Sequence, residues 1–284
     1  MANSNIFLSA AIRTNLLSLQ QTSELISRTQ GRLASGLEVQ SALDDPVKFF
    51  TSKSLSDRSA DILEKKSGVD QSISTLNVAI NAAQAIDAVL KQMKGVLITA
   101  KSSTGTEKTV LQAQFASLAA QLNNLVGDAT YNGTNLVTST AAIMTVQFSS
   151  LSTSRLDIVG IELNVSIVLQ TGVATDQATL VANTVFSLAL GSDFDAGIVR
   201  MDAAIDRVRA AAKSLGSNVN LLQTRLDFSN LLTNTLTQGS DKLRLADMNQ
   251  EGANLVALQT RQQLGFQALA FAGQAEQSIL TLFR

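Results

Sequence analysis

The stretch SGLEVQSALDDPVKFFTSKSL, residues 35–55, sets a glycine, the adjacent carboxylates Asp44 and Asp45, and the chain's only proline, Pro46, between two long runs of helical pattern. Paired carboxylates can serve acid–base chemistry or hold a cation, because like charges held close push one pKa upward. Here the pair has no histidine or cysteine to work with, since the chain contains neither. An aspartate before a proline has a simpler use. Its carboxylate accepts the free amides at a helix start, and proline at the first helical position gives up no needed donor. The stretch therefore reads as the end of one helix, a turn, and the capped start of another. Asp44 and Asp45 are architecture.

On the N-terminal side the apolar residues Leu8, Ile12, Leu16, Leu19, Ile26, Leu33 and Leu37 follow one helical face. Few charges flank them: Arg13, Glu24, Arg28, Arg32 and Glu38 are all that the first forty residues hold. On the C-terminal side Val69, Ile73, Leu76, Ile80, Ala83, Ile86, Leu90, Met93 and Leu97 advance in steps of three and four, the coiled-coil rhythm. KSSTGTE (101–107) interrupts them, and Leu111, Phe115, Leu118, Leu122 and Leu125 begin a third helix, so an antiparallel hairpin of helices is expected. Asn132-Gly133 marks a tight turn, after which the period changes to two, with Met144, Val146 and Phe148 and then Leu163, Val165 and Ile167 alternating with polar residues. Residues 136 to about 195 read as a small β-containing insert. From Ile198 the heptad returns through Met201, Ile205, Val208, Ala212, Leu215, Val219, Leu222, Leu226 and Leu236, a helix on the order of 60 Å long. The last forty residues hold Asp247, Glu251, Arg261, Glu276 and Arg284 as their only charges, with Leu255, Leu258, Leu264, Ala268, Phe271, Ala275 and Leu282 on a helical stripe.

Composition narrows the function. Aromatic residues make up 4% of the chain and tryptophan is absent, so the apolar core is mostly aliphatic and suits thin, close-packed helices. Without cysteine or histidine there are no disulfides, no thiolate nucleophile and no imidazole ligand, so no catalytic, cofactor or metal site is expected. With 22 basic and 23 acidic residues and no basic stripe, nucleic acid is not an expected partner. The opening MANSNIFLSAAIR has no basic leader, and no continuous apolar span of ~20 residues is evident, so neither a cleaved signal nor membrane insertion is expected.

The two ends match each other in low charge, amide- and hydroxyl-rich surfaces and heptad-like apolar positions. They are expected to pair. A lone two-helix coil has little core, and faces this poor in charge call for cover that the chain itself does not supply. That is the pattern of a self-assembling protein whose ends order when copies come together.

At this point the chain resembles the bacterial flagellins. RLASGLEVQSALDDP (32–46) is similar to their N-terminal signature, YNG (131–133) stands where they carry Phe-Asn-Gly, and ADMNQEGANLVALQTRQQLGFQALAFAGQAEQSILTLFR (246–284) follows their C-terminal pattern. The resemblance covers 1–137 and 198–284. Pro46 departs from it, standing where the family often has alanine. The resemblance implies a mainly α fold: a long antiparallel helical hairpin and coiled-coil bundle with both termini paired and a small β-containing insert. Segment by segment, 1–42 and 244–284 would pair as the inner coiled coil, 43–137 and 196–243 form a helical rod, and 138–195 face solvent. It also implies a filament subunit exported unfolded through the flagellar type III apparatus to the extracellular flagellum, without a cleaved signal. Its partners would be copies of itself, an export chaperone and the type III export gate, and the hook-associated junction and cap proteins. Filament assembly would rest on Leu8, Ile12, Leu16, Leu19, Leu33, Leu37, Asp44, Asp45, Leu258, Leu264, Gly265, Ala268, Phe271, Leu282, Phe283 and Arg284. Among these, Leu8, Ile12, Leu16 and Leu19 are expected to face Leu264, Ala268, Phe271 and Leu282.

Other readings stand beside this one. The hook-filament junction protein shares both terminal patterns but normally has a larger middle. A surface-displayed polysaccharide- or phage-binding module would use the insert, which offers only Phe148, Phe186 and Phe194 for stacking on sugars. Asn132-Gly133-Thr134 and Asn164-Val165-Ser166 fit the glycosylation tripeptide, although the first is already accounted for as a turn. Gly252, Gly265 and Gly273 read as points where helices approach closely rather than as hinges, since an interior glycine costs ~1 kcal/mol of helix stability.

Overall fold

The computed structural model of the chain describes residues 10–150, 153–164 and 194–282. Its helices are α1 (Ala10–Ser35), α2 (Pro46–Ser102), α3 (Thr106–Asp128), α4 (Phe194–Arg244) and α5 (Met248–Leu282). Among the described residues between α3 and α4 lie four short strands, β1 (Thr130–Tyr131), β2 (Thr134–Asn135), β3 (Ile143–Gln147) and β4 (Arg155–Val159). The mainly α architecture with a small β-containing region is as expected. The chain forms two compact units, one from residues 1–58 with 235–284 and the other from residues 59–234.

In the 59–234 unit, α2, α3 and α4 share one aliphatic core. Leu76, Ala83, Ile86, Leu90, Met93, Leu97 and Ala100 of α2 are buried with Phe115, Ala119, Leu122 and Val126 of α3 and Met201, Ala204, Val208, Leu215 and Leu222 of α4. The innermost line of α2 differs in detail from the apolar stripe in the sequence. It runs Val69, Ser72, Leu76, Ala79 and Ala83, while Ile73 and Ile80 sit half-buried on its flank. Small side chains occupy the line because the helices come close there, and the Ser72 hydroxyl is satisfied by donating to the Gly68 carbonyl 2.7 Å away. By length and composition α2 contains a window apolar enough to cross a membrane, against expectation. One third of that window is buried, Leu76, Ile86, Leu90 and Met93 of α2 lying in the core while Ile98 stands exposed.

KSSTGTE ends α2 and starts α3, as the break in the heptad predicts. Asn132 (φ 47°) and Gly133 (φ 77°) are both left-handed, the geometry of a two-residue hairpin turn, and they join β1 to β2. β3 pairs antiparallel with β4, Val146 opposite Leu156, and turns Val146 and Ile158 into the core. Leu163 is buried but belongs to no strand: its amide donates to the Val137 carbonyl at 2.9 Å. The partner of β3 is thus the stretch at 155–159, where Arg155 and Asp157 alternate with Leu156 and Ile158 over only five residues. Val165, Ile167 and Phe186 lie outside the described residues.

Ion pairs tie α2 to α4 along the edge of this core. Lys94 pairs with Asp202, Lys101 with Asp195 and Arg209 with Asp87, which also holds Lys91 at 2.6 Å. Burial is the largest single influence on Asp87 and raises its pKa, but the Lys91 and Arg209 hydrogen bonds and charges together outweigh it and leave the carboxyl below its ordinary value of 3.8. A depressed carboxyl stabilises the fold above its unfolded pKa, and that stability disappears as pH falls through the lower, folded value. Asp87→Asn is therefore expected to lower stability at pH 7 by about 1 kcal/mol, a difference that shrinks as pH falls below the ordinary carboxyl range and through the lowered folded pKa. Urea unfolding across that pH range is the check, and a constant difference at every pH would count against the pairing.

Candidate assembly surface

The opening stretch folds as its residues require. The Asp45 carboxylate accepts the Lys48 amide at 3.0 Å and its carbonyl accepts the Phe49 amide at 3.0 Å, so Asp45 caps α2 ahead of Pro46. Asp44 closes the preceding turn by accepting the Ser41 amide (2.9 Å), the Gln40 amide (3.1 Å) and the Ser41 hydroxyl (3.2 Å). The Ser41 amide is the main reason the Asp44 carboxyl sits below its ordinary pKa; desolvation, next in size, opposes it, and the Gln40 amide, the Ser41 hydroxyl and the charge of Arg32 help the Ser41 amide to prevail. Both carboxylates are spent on backbone amides. Neither is left for chemistry.

The linker from α1 to α2 is stitched to the linker from α4 to α5. Leu37 bridges Leu245, the Arg244 carbonyl accepts the Glu38 and Val39 amides at 2.7 and 3.3 Å, and the Gly36 carbonyl accepts the Ala246 amide at 3.0 Å. The Arg244 side chain returns to donate to the Val39 carbonyl at 3.2 Å and lies over the Phe49 ring at 5.3 Å. Below the cap, Ser52 and Ser240 exchange a buried hydroxyl contact at 2.8 Å. Nothing local in the sequence singles out Arg244, because its partners lie about two hundred residues away.

From this junction α1 and α5 run antiparallel. Arg32 of α1 donates to Glu251 of α5 at 2.9 Å, and Leu19 packs on Gly265 so closely that a Cβ there would lie 2.6 Å from a Leu19 methyl. Ile12, Leu19 and Ile26 are buried with Thr22 and Thr29, and Leu33 is half-buried on the same line. The Thr22 hydroxyl turns back onto the Ser18 carbonyl at 2.8 Å. Along α5 the covered line is Glu251, Leu255, Leu258, Gln262, Gly265, Leu269 and Ala272, in alternating steps of four and three. The pairing of the two ends is as expected, and Gly265 is a close-packing glycine. Gly252 and Gly273 are not: a Cβ at either would meet nothing within 4 Å.

The face that α5 turns to α1 also departs from expectation. Leu264 (60% exposed), Ala268 and Phe271 (70% exposed) stand on a different flank, and Leu16 (41% exposed) lies off the α1 seam. Ile12 and Leu19 therefore do not face Leu264, Ala268 and Phe271. The physical reason is that α5 carries two heptad stripes, one of Leu255, Leu258, Gly265 and Leu269 and one of Leu264, Ala268, Phe271 and Ala275, and Gly265 on the first admits Leu19 of α1 where a side chain would not. Leu282 ends α5, and Leu8, Phe283 and Arg284 lie outside the described residues. A further bare stripe follows the turn itself: Leu43 (96% exposed), Val47 and Phe50 are spaced four and three apart. The stripe is legible in the sequence as apolar residues at positions 43, 47 and 50, but it straddles the turn, where a helical period is not expected to run.

Paired terminal helices with one stripe filled and one left bare, stitched at a capped turn, belong to a recognisable group of proteins. The chain matches the bacterial flagellin N-terminal helical region over residues 5–142 and the bacterial flagellin C-terminal helical region over residues 198–283. The chain belongs to the bacterial flagellin family. Among its relatives, flagellin FljK of Caulobacter vibrioides is 29% identical over 286 residues, covering 100% of both chains, and a flagellin of Brucella melitensis is 26% identical over 99% of both. A solved chain described as a flagellar hook-associated protein of Vibrio parahaemolyticus superposes with a TM-score of 0.58 over 71% of this chain and 100% of its own, at 13% identity, a likeness of fold alone. This flagellin is accordingly a structural subunit of the bacterial flagellar filament.

Proposed function

We propose that copies of this flagellin join by covering the stripes that the single chain leaves bare: Leu264, Ala268 and Phe271 on α5, Leu16 on α1, and Leu43, Val47 and Phe50 at the capped turn. One observation carries the reading. α5 has two apolar heptad stripes and only one is used within the chain, so the other offers a contact that does not close on itself but propagates from copy to copy. Leu33, Leu37, Leu258 and Gly265 then act by holding the α1–α5 pair and its junction in shape. Asp44 and Asp45 do the same for the turn. Leu8, Leu282, Phe283 and Arg284 belong among the assembly residues on the strength of the terminal patterns of the family.

On this reading residues 1–42 and 244–284 form the inner layer of the filament, 43–137 and 196–243 the rod, and 138–195 the outer surface. Export unfolded through a type III gate, with a chaperone on the C-terminal segment and junction and cap proteins at the filament ends, completes the reading and rests on membership of the family.

Seeding purified monomer with sheared filaments tests it, with electron microscopy for growth and limited proteolysis of 10–35 and 248–282 before and after. Growth with new protection of both segments is expected. Equal protection in the monomer, or no growth, would remove the proposal.

A further inference from the structure

The unit formed by residues 1–58 with 235–284 contains a polar cleft beside the α1–α5 seam. It has a volume of about 380 Å³ and is lined by Leu25, Arg28 and Arg32 of α1 and by Glu251, Asn254 and Arg261 of α5, among others. Its charges do not balance. Arg32 is engaged by Glu251, but Arg28 and Arg261 have no carboxylate within ion-pair distance among the described residues. Glu251 is only 7% exposed, and its second carboxylate oxygen has no hydrogen-bond partner among the described residues. A buried acceptor left empty beside two unpaired guanidinium groups marks a site that expects an occupant with a carboxylate and a donor close together.

We propose that the occupant is α1 of a second copy, with Glu24 of that copy set against Arg28 and Arg261. This deepens the assembly reading above and rests on it. Within α1 and α5 the acidic residues are Glu24, Glu251 and Glu276. Glu251 lines the cleft itself, and Glu24 is exposed with no ion pair among the described residues although Arg28 lies one turn away on the same helix.

The spacing supports the assignment. Arg261, at the edge of the cleft, lies on the same flank of α5 as Leu264, Ala268 and Phe271, so the bare apolar stripe begins one turn beyond the cleft. On α1, Leu17 is exposed and stands seven residues, about 10.5 Å, from Glu24, the same interval that separates Arg261 from Ala268. α1 and α5 are antiparallel, so passing from Glu24 to Leu17 and passing from Arg261 to Ala268 lead in one direction. Glu24 and Arg261 also lie at one height, both between the Arg32–Glu251 and Leu19–Gly265 contacts. A neighbour of the same polarity, as every copy in a propagating polymer has, therefore seats Leu17 on the apolar stripe as its Glu24 enters the cleft. Ser27 and Arg28 follow within one turn and bring donors toward the Glu251 oxygen.

The test is a double-mutant cycle read as the rate of seeded elongation. Glu24→Lys is expected to slow the unaltered chain at least about tenfold but to slow an Arg261→Glu chain less than about threefold, because the lysine then meets a carboxylate. Thermal unfolding of the monomers should show no such coupling, since within one chain Glu24 and Arg261 do not touch. Glu24→Gln, which leaves the helix undisturbed, should slow elongation by an intermediate factor. Elongation of Glu24→Lys at the unaltered rate, or an equal penalty in both backgrounds, would overturn the assignment while leaving self-assembly intact. Failure of the unaltered chain to elongate would overturn the assembly reading and this assignment with it.

Discussion

Replacing Leu264 and Phe271 together by aspartate is expected to abolish seeded filament growth while leaving the helical content of the monomer unchanged. In the single chain both side chains stand largely in solvent and away from the α1–α5 seam, so charges there meet water. Exposed substitutions of this kind change stability by no more than about 0.5 kcal/mol each. Once copies cover the stripe, the same carboxylates lose hydration, and Arg261, one turn from residue 264, can offset at most one of the two charges. An unpaired buried charge costs several kcal/mol in a real protein, and each added subunit would meet that cost again. Circular dichroism of the monomer and electron microscopy of the seeded reaction separate the two effects. Ordinary filaments from the doubly substituted chain would show that this stripe is not where copies meet.

Phe115→Ala is expected to act in the opposite sense, through the fold of one chain. Phe115 is fully buried where α2, α3 and α4 meet, among aliphatic side chains that include Leu90, Leu122 and Met201. Truncating such a side chain removes its transfer free energy and leaves a cavity that a long, rigid bundle closes poorly, together about 3–5 kcal/mol. With total stabilities of ~5–15 kcal/mol, the 59–234 unit would lose much of its margin. Urea unfolding of the monomer is the measurement, and a loss below about 1 kcal/mol would mean that the core is less tightly packed than its burial indicates. The two substitutions should thus divide cleanly: one spares the monomer and stops the polymer, the other weakens the monomer before any polymer can form.

Particular residues show how far the sequence could be read unaided. The heptads of α2, α3 and α4 were visible because a buried helix face repeats every three or four residues whatever it packs against. Asp45-Pro46 and Asn132-Gly133 were equally legible, since a cap and a two-residue turn are decided by chemistry within four residues. The β3–β4 hairpin was half seen. Val146 announces itself by alternation, but its neighbour Arg155–Val159 carries Arg155 and Asp157 on the exposed face and offers only a few residues of pattern. Ser72 and Ala79 are buried where Ile73 and Ile80 are only half-buried, and a small or hydroxyl-bearing side chain carries no apolar signal by which the sequence could mark its burial.

What the amino-acid sequence determined by itself is everything whose cause is local: long helices, their breaks and caps, a chain without thiol or imidazole chemistry, and two ends too poor in charge to be left uncovered. Only the tertiary structure decided which of the two apolar stripes on α5 meets α1, that Gly265 admits Leu19, that Arg244 clasps the turn at Val39, and that Arg28, Arg261 and Glu251 converge on one cleft. The reason is that a stripe of period 3.5 states that a helix face will be buried but not against what, and the choice between two such faces is made by close packing and charge between residues more than two hundred positions apart.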